Sequence, residues 1–144
     1  MEGTPQMADI TLSAADVLAV KTVKTVEQIS LIAGEAINGG QPVYINTTTG
    51  RVYRARGNAA GTAGAIGLCG RTVATGEACT IIQQGLVDLG TALNAVNYGT
   101  VVYLSDTATG VFGDAAGTVS VVIGRVVPAH ALGNTAERLL RVNL

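Results

Sequence analysis

The chain has 144 residues, a formal net charge of -1 and a pI near 5.7, with nine Lys and Arg against ten Asp and Glu. Because the basic residues are balanced and spread along the chain, the composition excludes a nucleic-acid-binding surface and an electrostatic membrane anchor. Four Tyr, one Phe, no Trp and 19 Gly predict one domain with a thin aliphatic core that gains stability from partners.

The first 19 residues predict an extended N-terminal arm that contributes little to the fold. The run MEGTPQMADI lacks the basic and apolar segments of a signal peptide, so we expect a protein made in a cytoplasm. Ser13, followed three residues later by Asp16, favours one helical turn. The arm is expected to attach the protein to a partner through apolar residues. These residues are Met7, Ile10, Leu12, Val17 and Leu18.

Strand signals begin near residue 20. Between Val17 and Ile32 a branched aliphatic residue recurs every third position, and the Val, Thr and Ile content of this run favours a strand after about Val20. Turn-rich segments then separate short apolar runs, the spacing of an all-β protein. The further predicted strands are Pro42–Ile45, 51–55, 65–68, 79–83, 85–88, Val101–Leu104, 111–112, 119–127 and Arg138–Asn143. The predicted fold is therefore an all-β small sandwich or barrel.

Two segments of the chain carry the same pattern. VYINTTTGRVY and VYLSDTATGVF each predict a hairpin whose Thr-rich turn ends at Gly50 or Gly110 and whose return strand carries Tyr53 or Phe112. A strand containing Ile-Gly follows each hairpin, in AIGLC and VIGRV. We therefore predict two related hairpin-plus-strand units that share one core. They cover about 41–69 and 100–127 of a β-rich domain, 20–144.

Motifs for catalysis and cofactors are not found in the sequence. GTAGAIGLCG lacks the spacing and the strand–helix context of a dinucleotide-binding loop, and no G-x-S-x-G elbow accompanies the only histidine, His130. Cys69 and Cys79 with one distant histidine supply too few ligands for zinc. We expect two reduced thiols packed as small hydrophobes, while a disulfide needs their Cβ atoms within about 4.5 Å. The sequence predicts no enzyme, no cofactor, no metal and no small-molecule substrate.

The segments AGEAINGGQPVYINTTTGRVYRA, GTVVYLSDTATGVFG and VIGRVV resemble the small capsid decoration, or cement, proteins of tailed bacteriophages, and the likeness runs from about residue 32 to residue 127. The resemblance implies a β-rich domain that binds the outer surface of the phage head, commonly as a homotrimer, and bridges neighbouring major capsid subunits. It implies a structural virion protein, made in the host cytoplasm, without catalytic residues. The chain departs from the family in its ending AHALGNTAERLLRVNL and its two cysteines.

Arg54 and Arg56 lie two apart beside Val52 in a predicted strand and are expected to present both guanidinium groups on one face. One interpretation is a solvated strand face. The other is a contact with acidic groups of the capsid or of a neighbouring subunit.

A different class of function stays open beside the capsid role. A β-rich receptor- or carbohydrate-binding module of a phage head or tail fibre is also an oligomeric all-β protein. Such a module usually stacks sugars on exposed aromatic side chains, and four Tyr without Trp are a poor supply.

Overall fold

The computed structural model describes residues 9–12, 21–90, 92–128 and 138–144. These residues contain ten strands that are joined by antiparallel ladders. This part of the chain contains no helix, and its curled sheet forms a half-barrel, so the all-β prediction is confirmed. The strands are β1 (Asp9–Ile10), β2 (Lys21–Ile32), β3 (Pro42–Ile45), β4 (Val52–Arg54), β5 (Ala65–Cys69), β6 (Ala78–Asp88), β7 (Val101–Leu104), β8 (Phe112–Gly113), β9 (Val122–Pro128) and β10 (Arg138–Asn143).

The strands differ from those predicted from the sequence at two places, β6 and β1. The predicted strands 79–83 and 85–88 are one strand, β6, because Gly85 stays in the ladder opposite Thr25 and Val142. Strand β1 lies inside the predicted arm and pairs with β8. The helical turn expected from Ser13 lies outside the described residues.

Strand β6 is the centre of the sheet. One edge of β6 pairs with β2 along almost its whole length, from Asp88 to Ala78. The opposite edge is shared, because β5 pairs with Ile81 and Ile82 while β10 pairs with residues 84–87. Two groups of strands therefore attach side by side to the same edge of one long strand.

The two hairpin-plus-strand units have the same strand order. In the first, β3 lies between β4 and β5, and in the second, β7 lies between β8 and β9. Each unit also contains the same ladder irregularity, which skips Ile66 in β5 and Ile123 in β9. Within the return strands Val52 and Phe112 occupy equivalent places, opposite the last residues of β3 and β7. The predicted equivalence of Tyr53 with Phe112 is wrong by one residue, because each return strand begins two residues after its turn glycine.

The turns of the two hairpins explain their shared glycine. Gly50 and Gly110 have φ angles of 72° and 71°, in the left-handed region where a side chain is strained. The backbone N–H of Asn46 donates to the carbonyl of Arg51 at 2.8 Å, and that of Ser105 donates to Val111 at 2.9 Å. Both bonds join the residue after the outgoing strand to the residue after the turn glycine, and the second turn is one residue longer.

Apolar side chains form two clusters on opposite faces of β5 and β6. The larger cluster contains residues of both units, and the smaller one is an additional cluster that contains none from the second unit. The central strands are apolar on both sides: Leu68 and Ile82 belong to the larger cluster, and the adjacent Cys69 and Ile81 belong to the smaller one. The larger cluster includes Ile10, Val87, Leu89, Leu93, Val102, Leu104, Phe112, Ile123, Val126 and Leu140. The smaller one includes Ala33, Ile37, Val43, Val52, Val73 and Cys79.

Two glycines allow the third strand of each unit to approach its neighbour closely. A Cβ placed on Gly124 in β9 would overlap the carbonyl oxygen of Arg141 in β10. A Cβ on Gly67 in β5 would lie 2.5 Å from both the side chain of Ile81 and the carbonyl oxygen of Ile82 in β6. Each unit is therefore attached to the next strand through a backbone contact that excludes any side chain.

Candidate docking surface

The described part of the predicted arm belongs to the fold. Ile10 is only 4% exposed and packs in the larger cluster, and Leu12 is partly buried against the same cluster. Ile10 is buried in the protein's own core, so the expectation that it attaches a partner is wrong, and the same expectation for the partly exposed Leu12 stays a prediction. The alternation of polar and apolar residues in Asp9-Ile10-Thr11-Leu12 is the sequence signal for this strand. Met7, Val17 and Leu18 lie outside the described residues.

Asp9 ties this segment to the second hairpin. Its carboxylate accepts hydrogen bonds from the hydroxyl groups of Ser105 and Thr107, each at 2.7 Å. Ser105 is fully buried, and its hydroxyl oxygen also accepts the backbone N–H of Thr107 at 3.1 Å. The carboxylate therefore satisfies a buried hydroxyl that would otherwise cost free energy in an apolar core.

Arg54 is held by a partner within the chain. Its guanidinium forms an ion pair with Glu35 at 3.1 Å, and the same carboxylate accepts its backbone N–H at 2.8 Å. The Nε of Arg54 is buried and has no hydrogen-bond partner among the described residues. Gly110 leaves space for this arginine, because a Cβ there would lie 3.1 Å from Arg54 Cδ. The guanidinium therefore joins the first unit to the loop at residue 35.

Arg56 lies beyond the end of β4, so the prediction that it shares a strand face with Arg54 is wrong. Its Nε donates to the backbone carbonyl of Asp106 at 2.9 Å. Hydrogen bonds from Thr118, assisted by the nearby Arg56 charge, lower the pKa of the Asp106 carboxyl. Arg56 thus connects the two units, and each of these arginines has a hydrogen-bond partner within the chain.

The two cysteines are free and buried in the smaller cluster. Burial raises the pKa of the Cys69 thiol from 9.0 to about 11, and burial also raises the pKa of Cys79. The Cys69 thiol donates to the carbonyl of Arg71 at 2.9 Å, and the Cys79 thiol donates to that of Leu31 at 3.3 Å. These are packed thiols, as the sequence predicted.

The raised pKa of Cys69 predicts a loss of stability in alkali. The folded pKa lies above the unfolded one, so the stabilisation is complete below pH 9 and is lost as the pH rises from about 9 to about 11. We expect this thiol to account for roughly 2–3 kcal/mol of that loss. The free energy of unfolding, measured with urea across this pH range, should fall more steeply for the wild-type chain than for Cys69→Ala, which keeps the other ionisable groups. Parallel declines would contradict the assignment.

The sheet presents an exposed outer face around β10. Arg141 lies directly opposite Arg125 of β9 on one side and opposite Leu86 of β6 on the other. Opposite residues of an antiparallel pair point to the same face, as do residues two apart on one strand. We define the outer face by six exposed or partly exposed residues: Val26, Gln84, Leu86, Arg125, Arg141 and Asn143. Two of the six are charged, the arginines; Asp88, two residues beyond Leu86 on β6, is partly exposed on the same side and accepts the backbone N–H of Gly90 at 2.8 Å.

The two arginines differ in their partners. Arg125 donates one hydrogen bond from its guanidinium to the carbonyl of Gly99 at 2.8 Å. The guanidinium of Arg141 makes no hydrogen bond or ion pair with any described residue. Like charges directly opposite each other in a sheet are destabilising by roughly 0.2–1 kcal/mol. This face therefore carries a pair of positive charges that forms no ion pair with a described residue.

The outer face borders an unpaired strand edge. Among the described residues, the second edge of β2 pairs with no other strand of the sheet. Val26, near the middle of β2, is 53% exposed. A long edge with free backbone groups is a surface on which proteins pair with other chains.

The described part of the chain provides little basis for a ligand pocket, a metal site or a membrane-spanning helix. Two clefts of about 250 Å³ each flank the β1 segment and are smaller than the about 300–1,000 Å³ of typical ligand pockets. No group of three or more metal-ligating side chains occurs among the described residues. These residues also contain no helix with the length and apolarity to cross a membrane. His130 lies outside them.

Comparison of the chain with protein-family models, curated proteins and solved structures found no match.

Proposed function

We propose that this chain is a structural virion protein that decorates the head of a tailed bacteriophage and cements neighbouring major capsid subunits. The segments that carry the resemblance to cement proteins form the hairpins and the third strands of both units. The observation that carries the proposal is the outer face, where Arg125, Arg141 and Val26 are exposed next to a free strand edge. A protein that binds only the assembled shell stabilises it by mass action.

The cement role needs a rigid, non-catalytic body with more than one attachment surface. The two units are joined through β6 and through the hydrogen bond from Arg56 to the carbonyl of Asp106. The proposal includes a homotrimer on the outer surface of the head, made in the host cytoplasm. Three attached copies would bind with higher avidity than one.

The alternative, a receptor- or carbohydrate-binding module, has a weaker basis. Tyr98 is the most exposed tyrosine, at 42%, but the guanidinium of Arg138 lies 4.5 Å above its ring. Tyr44 and Tyr53 contact each other, with ring centroids 6.2 Å apart. An open aromatic platform for stacking a sugar is not present among these three side chains.

The experiment that tests the proposal is decoration of empty heads. Heads assembled from the major capsid protein encoded with this chain are mixed with the purified protein, sedimented and imaged by cryo-electron microscopy. We expect ordered density in clusters of three on the outer surface of the head. Absence of the protein from the heads would contradict the proposal, and density confined to a fibre would favour the binding module.

A further inference from the structure

The pair of arginines on the outer face has hydrogen-bond donors that the described chain does not use. Arg125 and Arg141 are direct cross-strand neighbours, and both are exposed. A guanidinium has five N–H donors, and only one donor of Arg125 and none of Arg141 is used within the described chain. The unused donors and the repulsion between the two charges both favour a carboxylate placed between them.

The spacing of this pair is fixed by the backbone beneath it. Gly124 lies against the carbonyl group of Arg141 so closely that no side chain would fit, which holds β9 and β10 together at this point. The loop that accepts the Arg125 hydrogen bond is also anchored, because Arg138 donates from Nε to the carbonyl of Val96 at 2.7 Å. The backbone spacing of the pair is therefore set before binding, and the cost of binding is the rotamer entropy of the two side chains.

The surroundings of the pair favour a protein segment over a nucleic acid. Leu86 lies beside Arg141 and is partly exposed, and Val26 lies farther along the same face. Nucleic-acid binding depends on many phosphate contacts from clustered Lys and Arg, whereas the outer face has two basic residues. A protein segment with an acidic side chain between the arginines and apolar side chains against Leu86 and Val26 would match both the charged and the apolar parts of the outer face.

We propose that the outer face binds an acidic, partly apolar protein segment whose carboxylate bridges Arg125 and Arg141. The identification of that segment as part of the shell subunit rests on the proposed function. A guanidinium and a carboxylate pair through two parallel hydrogen bonds, so the contact is directional as well as electrostatic. The proposed contact involves residues other than Arg54 and Arg56, which already have partners within the chain.

The test compares R125Q/R141Q with the control R51Q/R71Q, which removes two exposed arginines from other parts of the surface. We expect the first variant to bind heads at least tenfold more weakly and with less dependence on salt, and the control to bind like wild type. The thermal unfolding of R125Q/R141Q should match or exceed that of wild type, because a repulsive pair has been removed. Equal head binding by both variants would overturn the inference.

A second probe separates this inference from the proposed function. A short peptide of alternating Glu and Val is titrated into the wild-type chain and both variants, and the backbone amides are followed by NMR. Shifts in β9 and β10 that R125Q/R141Q abolishes support the site even if heads are not decorated. Decorated heads together with no peptide shifts and no variant effect would leave the function standing and remove the site. Tighter arginine-dependent binding of a single-stranded oligonucleotide would overturn the choice of a protein partner.

Discussion

Replacing Gly124 by alanine is expected to destabilise the fold by about 3 kcal/mol or more. The added Cβ would overlap the backbone carbonyl of Arg141, and a backbone atom inside a ladder cannot rotate away as a side chain can. Relief therefore requires β9 and β10 to separate. Because β10 links the second unit to β6, the damage extends beyond one contact. Chemical unfolding monitored by far-ultraviolet circular dichroism measures the loss.

The matched control for this substitution is Gly64→Ala. A Cβ at Gly64 meets no atom within 4 Å, and its φ is not left-handed, so we expect a change within about 0.5 kcal/mol of wild type. Gly67→Ala, the equivalent change in the first unit, should resemble Gly124→Ala. A Gly124→Ala chain as stable as the Gly64→Ala chain would show that β9 and β10 are not in close contact there.

Removal of residues 1–12 is expected to destabilise the domain by roughly 4 kcal/mol. Loss of the buried Ile10 side chain alone should cost about 2–5 kcal/mol, and the buried hydroxyl of Ser105 loses its bond to the Asp9 carboxylate. This result is the opposite of the sequence-based expectation that the arm adds little to the fold. Thermal unfolding of the shortened chain measures the effect.

A chain lacking only residues 1–8 is the control, because it retains both Asp9 and Ile10. We expect its unfolding to match that of the full chain. Any loss of head binding in this control would then belong to the first eight residues themselves. Equal stability of the two shortened chains would show that β1 contributes nothing to the core.

The sequence predicted the strands better than the contacts between them. Alternating apolar residues and turn glycines are local signals, so β3, β7 and β10 were predicted with their observed bounds. The division of the core was not predictable in this way. Leu68 and Cys69 are both apolar, and only the complete sheet shows that they face different clusters.

The residues of the proposed docking site also could not be predicted, because they are brought together by long-range strand pairing. Arg54 and Arg56 attract attention because they are close in sequence, yet their partners Glu35 and Asp106 are distant. Arg125 and Arg141 are sixteen positions apart, and the ladder between β9 and β10 makes them neighbours. Their register follows from strand pairing, which single-sequence patterns do not specify.

The shared edge of β6 has a consequence for the order of folding. The first unit pairs with β6 directly through β5, and these elements precede residue 89 in the chain. The second unit reaches β6 only through β10 among the described strands, and β7, β8 and β9 all lie between β6 and β10 in sequence. Strand pairing that closes a long loop is slow, because the chain loses conformational entropy before the stabilising contacts form. During synthesis, half of the β6 edge therefore stays open until β10 has left the ribosome.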